Sequence, residues 1–295
     1  MSDDARRPSI GWVKHSLKQH VGERWRWRIH RLSRLRWITK YRHLRHEGVS
    51  VRRHLGYLLL DPEVESFTYR VENVQDMLAA IAEVTGLPLS TLERFAREAE
   101  TDPELGDRLA RRLRWRFDVK HRQLLGHRLG WYVLVRAVRP PLVCETGIYH
   151  GLGSLAILRA LEANGAEGAP GELLSFDVSP DAGSIVDRSR HPTWRPVVGS
   201  TRDTLERAVM GRRVAALFQD TPHTDENQSF EFGVAFRHSA PELLLVDSSG
   251  GISPTLQRLS HERDGTYRCV DLVAADHWYT PAALAFALFR TGAAG

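Results

Sequence analysis

Cysteine is nearly missing from these 295 residues. Cys144 and Cys269 are too few for a disulfide scaffold or a four-ligand zinc site, and they fit buried thiols in a reducing compartment. No apolar run approaches the roughly 18 residues of a membrane-spanning helix. The start, Met1 to Arg7, lacks the apolar stretch of a secretory signal, so the cytoplasm is the expected location. Lysine is scarce, present only at Lys14, Lys18, Lys40 and Lys120. Nothing after residue 120 can therefore act as a catalytic or phosphate-binding lysine.

What is present is unevenly spread. The net charge is +5, yet residues 1–54 hold 15 Lys/Arg against 4 Asp/Glu, so the basic character belongs to the N-terminal fifth and the rest is mildly acidic. Residues 12–46 interleave Trp12, Trp25, Trp27 and Trp37 with Arg24, Arg26, Arg28, Arg31, Arg34 and Arg36. Basic charge with aromatics suits nucleic acid or an anionic membrane surface. A helical arm that covers a site or joins a homo-oligomer explains the segment equally, and is favoured because nothing in it resembles an RNA-binding module.

Three regions follow from the punctuation of the chain: a basic extension over 1–75, a helical lead-in over 76–140, and a Rossmann-like α/β domain over 141–295. Asn73 is placed to cap a helix over Val74–Val84 that ends at Gly86 and Pro88. Ser90 with Glu93 reads as a capping box for the next helix. Asp102–Pro103 starts a longer one with Leu105, Leu109, Leu113 and Phe117 on one face. A last lead-in helix near Leu124–Val138 stops at Pro140–Pro141.

Beyond residue 142 the pattern changes to short apolar segments with polar carboxyl ends: Leu142–Cys144, Leu173–Phe176, Pro196–Val198, Val214–Phe218, Leu243–Val246 and Arg268–Val273. Alternating with helical stretches, they predict a mostly parallel sheet flanked by helices. Ligands of such sheets bind beyond the carboxyl ends of the strands, where Asp177, Asp220 and Asp247 fall.

The most informative stretch is Glu145-Thr-Gly-Ile-Tyr-His-Gly-Leu-Gly-Ser154. Gly147 permits a tight turn after a strand, and Gly151 a close backbone approach. A phosphate-cradling loop needs Gly-Lys-Ser/Thr, which the missing lysine excludes. A short-chain dehydrogenase matches Thr146-Gly-x-x-x-Gly-x-Gly153, yet requires a downstream Tyr-x-x-x-Lys that is absent. The remaining reading is a cofactor with a cationic methionine moiety and no phosphate, met by Glu145 and the glycines, with Asp177 on the ribose hydroxyls.

Val143-Cys-Glu-Thr-Gly-Ile-Tyr-His-Gly-Leu-Gly-Ser154 resembles the first motif of class I S-adenosylmethionine-dependent methyltransferases, closest to the catechol and caffeoyl-CoA O-methyltransferase group. Leu174-Ser-Phe-Asp177 resembles the second motif, and Val198-Gly-Ser200 the turn near the adenine. Phe218-Gln-Asp-Thr-Pro-His-Thr-Asp-Glu-Asn227 is similar to an Asp-x-x-His-x-x-Glu segment of bacterial small-molecule and sugar O-methyltransferases. The resemblance covers about residues 105–295. It implies a cofactor site of Glu145, Gly147, Tyr149, Gly151, Ser154, Asp177, Ser200 and Asp220, and methylation of a hydroxyl on a sugar or secondary metabolite. His223 is the candidate base, with Asp220 beside it; His150 and His277 are weaker candidates. Metal-dependent relatives hold Mg2+ through the residues matched by Asp220 and Asp247, but they carry Asp-Asn where this chain has Asp247-Ser248, a departure from the metal pattern. The alternatives are a protein of the same fold with other chemistry, similar to cephalosporin hydroxylases, or an RNA-directed methyltransferase using the basic arm.

Overall fold

The computed structural model describes residues 70–108, 125–248, 252–273 and 283–289. The chain divides into two compact units, Met1–Val64 and Glu65–Gly295, and all described residues lie in the second. The Arg/Trp segment, the end of the helix expected from Asp102, and His277 lie outside the described residues.

Two helices, α1 (Val74–Thr85) and α2 (Leu89–Thr101), precede a π-helical turn at Glu104–Arg108 and a third helix, α3 (Arg128–Val138). The sheet and its helices follow in the order β1 (Leu142–Thr146), α4 (Leu152–Ala166), β2 (Glu172–Asp177), β3 (Trp194–Val198), α5 (Thr201–Val209), β4 (Ala216–Gln219), α6 (Asp225–His238), β5 (Leu243–Ser248), α7 (Pro254–Glu262), β6 (Gly265–Asp271) and β7 (Ala283–Phe289). The strand order is β3-β2-β1-β4-β5-β7-β6. β1 to β5 pair parallel, and β7 inserts antiparallel between β5 and β6. All strands except β7 therefore point the same way, and their carboxyl ends share one edge. Among the described residues no helix is long and apolar enough to cross a membrane.

The expected parallel strands are present, each within a few residues of its predicted place. β7 was not foreseen. Its run Ala-Leu-Ala-Phe-Ala-Leu-Phe does not alternate because both faces are covered, so it lacks the period-2 signature of a half-exposed strand. The helix starts also differ. Asn73 precedes α1 without capping it through its side chain; its amide instead donates to the Asp271 carbonyl and accepts from the Val273 amide, pinning the helix to β6. α2 begins at Leu89 behind Pro88, so Ser90 and Glu93 form no capping box. Asp102 accepts from the Glu104 and Leu105 amides, and the chain kinks at Gly106.

α3 is apolar all round because it is buried all round. Trp131 meets Phe218 of β4 edge-on, with ring centroids 5.4 Å apart, and fits closely against Gly153 of α4. Of its two buried arginines, Arg136 is matched by Glu98, Glu167 and Asn164, as a charge in a core must be. Arg139 then turns left-handed at φ 54° before Pro140 and Pro141, which deliver the chain into β1.

Candidate functional site

The open carboxyl edge is where the fold leaves apolar surface uncovered. Of seven large exposed hydrophobic residues among those described, five lie at or just beyond the carboxyl ends of strands: Tyr149, Val178, Val198, Ile252 and Val273. Tyr149, Val178 and Val198 are 55%, 71% and 54% exposed, and flank the end of β2 where Asp177 sits. Solvated apolar residues grouped at a strand edge mark a binding surface.

The glycine turn is fastened to that edge through Asp177. One carboxylate oxygen accepts from the Ile148 and Tyr149 amides at 2.9 Å each; the other accepts from the Ser179 amide at 2.8 Å. These bonds fix the rotamer and leave acceptor capacity on the oxygen that the Ser179 amide meets. Gly147 lies wedged between neighbouring strand ends: its amide donates to Phe176, while the Asp220 amide donates to Thr146. Tyr149 adopts a left-handed backbone at φ 49°, and its ring stands 3.9 Å from that of His150. Gly151 caps α4. Ser200 caps α5 by accepting from the Arg202 amide, so its hydroxyl already has a structural task.

Glu145 and Ser154 face inward. Both are buried, and Ser154 donates to Glu145 at 2.6 Å; Ser175 donates to the same oxygen at 2.7 Å and itself accepts from the Trp194 indole. Burial pushes the Glu145 carboxyl up to about 7, against the two hydroxyls and Arg128. Glu145 thus supports the turn from beneath, where the sequence suggested a carboxylate facing the ligand.

Asp220 and Asp247 meet beside two basic residues, His127 and Arg128, that the sequence reading missed. His127 Nε2 stands 3.0 Å from Asp247 Oδ2, and both side chains are buried. Burial and the neighbouring Asp247 charge drive Asp220 well above the usual carboxylate range, with Arg128 opposing. For Asp247 burial acts upward too, but His127 and Arg128 overcome it and hold this carboxyl low. The two carboxyls are thereby pushed apart, Asp220 upward and Asp247 downward. His223 is exposed at the rim of the same cluster; the protein packed on one side of it lowers its pKa, against the pull of Asp247 and Glu231.

Among the described residues no group of three His, Cys, Asp or Glu is placed to hold a metal ion; Asp220 and Asp247 are the carboxylates that would meet one, and His127 already stands on Asp247.

A family model described as a methyltransferase domain matches residues 144–247, about a third of the chain. The O-methyltransferase TomG of Streptomyces achromogenes, solved with S-adenosylmethionine, is 17% identical over 68% of this chain and 96% of its own, with a TM-score of 0.47. An O-methyltransferase of Bacillus cereus, solved with S-adenosylhomocysteine, is 14% identical over 73% and 97%, at 0.44. The methyltransferase PaMTH1 of Podospora anserina is 14% identical over 69% and 98%, at 0.43. No curated protein matches the chain significantly. The matched family segment runs from within β1 to the end of the parallel part of the sheet, so it takes in every strand end that borders the glycine turn; over these residues the chain is similar to a methyltransferase domain.

Proposed function

We propose that the chain methylates a hydroxyl of a small molecule, a sugar or secondary metabolite, without a metal. The observation that carries this reading is the pairing of two halves of one edge: Asp177 prearranged among exposed apolar side chains, and His223 at the rim of the acidic pair on the far side of Gly147. Asp177 would receive the ribose hydroxyls, and Tyr149, Val178 and Val198 would cover the apolar faces of the nucleoside. Ser200 and Gly151 serve by shaping the turns on either side.

The bound cofactor supplies an electrophilic methyl on a sulfonium. His223, lowered toward its neutral form, accepts the proton of the acceptor hydroxyl as the oxygen takes the methyl. The products are a methyl ether, the thioether and an imidazolium, which Asp247 stabilises. Asp220, whose carboxyl burial pushes up, places less negative charge beside the reacting oxygen than an ordinary carboxylate would. Positioning supplies most of the rate, since the alignment of oxygen, methyl and sulfur must be held.

Calorimetric titration with S-adenosylhomocysteine tests the assignment. Wild type should bind with a dissociation constant on the order of micromolar, and Asp177→Ala should lose about a hundredfold as two hydroxyl contacts to a charged group disappear. EDTA and Mg2+ should leave both values unchanged. An undiminished Asp177→Ala would move the nucleoside elsewhere; sensitivity to EDTA would restore the metal to Asp220 and Asp247. A wild type that ignores the ligand under every condition would end the reading.

A further inference from the structure

We propose that Glu231, in the middle of α6, is the positioning residue that holds the cofactor side and the acceptor side of the open edge in register. Its carboxylate is wholly buried. One oxygen accepts from Thr146 Oγ1 at 2.8 Å and Thr221 Oγ1 at 3.1 Å. The other accepts from Thr201 Oγ1 at 2.8 Å, Thr221 Oγ1 at 3.0 Å and Asn227 Nδ2 at 3.1 Å.

The placement of those donors gives the carboxylate its meaning. Thr146 precedes Gly147 at the end of β1. Thr201 follows Ser200 and opens α5. Thr221 lies between Asp220 and His223 after β4. Three loops far apart in sequence are tied to one side chain, each at a residue adjacent to the site. Packing of α6 alone would be served by a leucine, without the cost of burying a carboxylate; that cost is met only because the hydroxyls and the amide converge on it. Neutral donors supply all of its hydrogen bonds, so the tie is geometric as well as electrostatic, and any donor that swings away leaves the charge short of a partner. Asn227 reinforces the arrangement by also donating to Thr221 at 2.8 Å. The inference rests on the cofactor reading for its consequence, though the tie itself does not.

The test is hydrogen exchange of the ligand-free protein combined with S-adenosylhomocysteine calorimetry. Glu231→Gln should unfold cooperatively yet exchange faster in three separate places, residues 146–149, 200–202 and 220–224, while the centres of β1, β4 and β5 keep their protection. Its affinity for S-adenosylhomocysteine should fall about ten- to a hundredfold, the scale of lost bonds to a charged acceptor. Acceleration spread evenly over the sheet, or none in the three loops, would overturn the proposal and leave Glu231 a stability residue. Should Glu231→Gln fail to fold, Thr201→Val and Thr221→Val decide it: each must loosen its own loop, and unchanged exchange in both refutes the tie. A wild type that binds no S-adenosylhomocysteine would remove the cofactor reading, while the exchange pattern would still judge the tie.

Discussion

Gly147→Ala is expected to abolish binding of S-adenosylhomocysteine and to destabilise the domain by about 2–5 kcal/mol, combining left-handed strain with overpacking. The residue sits at φ 90°, and an added Cβ would lie 2.1 Å from the Asp220 carbonyl oxygen and 2.6 Å from its carbon. That neighbour is backbone, held by its amide on Thr146, so no side chain can swing aside. β1 and β4 would have to separate at the point where the turn leaves the sheet, displacing Asp220 together with the amides that orient Asp177. Gly168→Ala is the control: its φ is 85° but nothing lies within 4 Å of its Cβ, so it should cost only about 1 kcal/mol of strain and leave affinity intact. Urea unfolding at constant m-value, with calorimetry on the same samples, checks both. Equal effects from the two substitutions would mean that backbone strain alone, and not the approach of β4, makes Gly147 necessary.

Glu145→Gln should make the protein more stable in mild alkali. Burial holds the native carboxyl at about 7, against an ordinary value of 4.5 in the unfolded chain. Between those two values the unfolded state has released its proton and the native state has not, so wild type loses stability as pH rises through this window, by roughly 3 kcal/mol in full. Glutamine can accept from Ser154 and Ser175 through the same oxygen and carries no charge to bury. The variant should match wild type near about pH 5 and exceed it by roughly 2–3 kcal/mol near about pH 8. Taking the difference between the two proteins at each pH removes the contribution of titrating groups that do not sense Glu145; Asp220, which Glu145 pushes up, adds to the difference in the same direction. A difference that does not change with pH would mean that Glu145 is ionised throughout, with Arg128 supplying more compensation than burial removes.

These cases mark how far the residues alone carried the argument. Gly147, Gly151 and Asp177 were legible because local geometry dictates them: a strand that ends, a turn that reverses, a carboxylate one step beyond the apolar run. Glu145 was legible as a position and not as a direction. On a parallel strand buried on both faces, the alternation that tells inside from outside is absent. His127 lies 120 residues before Asp247, and Glu231 gathers donors from three loops, so no spacing rule connects them. Ser200 and Asn73 show the opposite failure. Each sits at a helix start, yet only Ser200 caps, because the amide of Asn73 is taken by β6.

The position of β7 bears on how the chain comes to be folded during its synthesis. The strand second from the edge of the finished sheet is the last of the described strands to be made, and it separates two that precede it. Until Ala283–Phe289 has left the ribosome, β5 and β6 present unpaired backbone edges with no neighbour between them, a surface other nascent chains can extend. A chain that stopped before residue 283 would therefore leave the sheet open between β5 and β6. Recruitment of chaperones, if this chain needs them, would be concentrated in that interval.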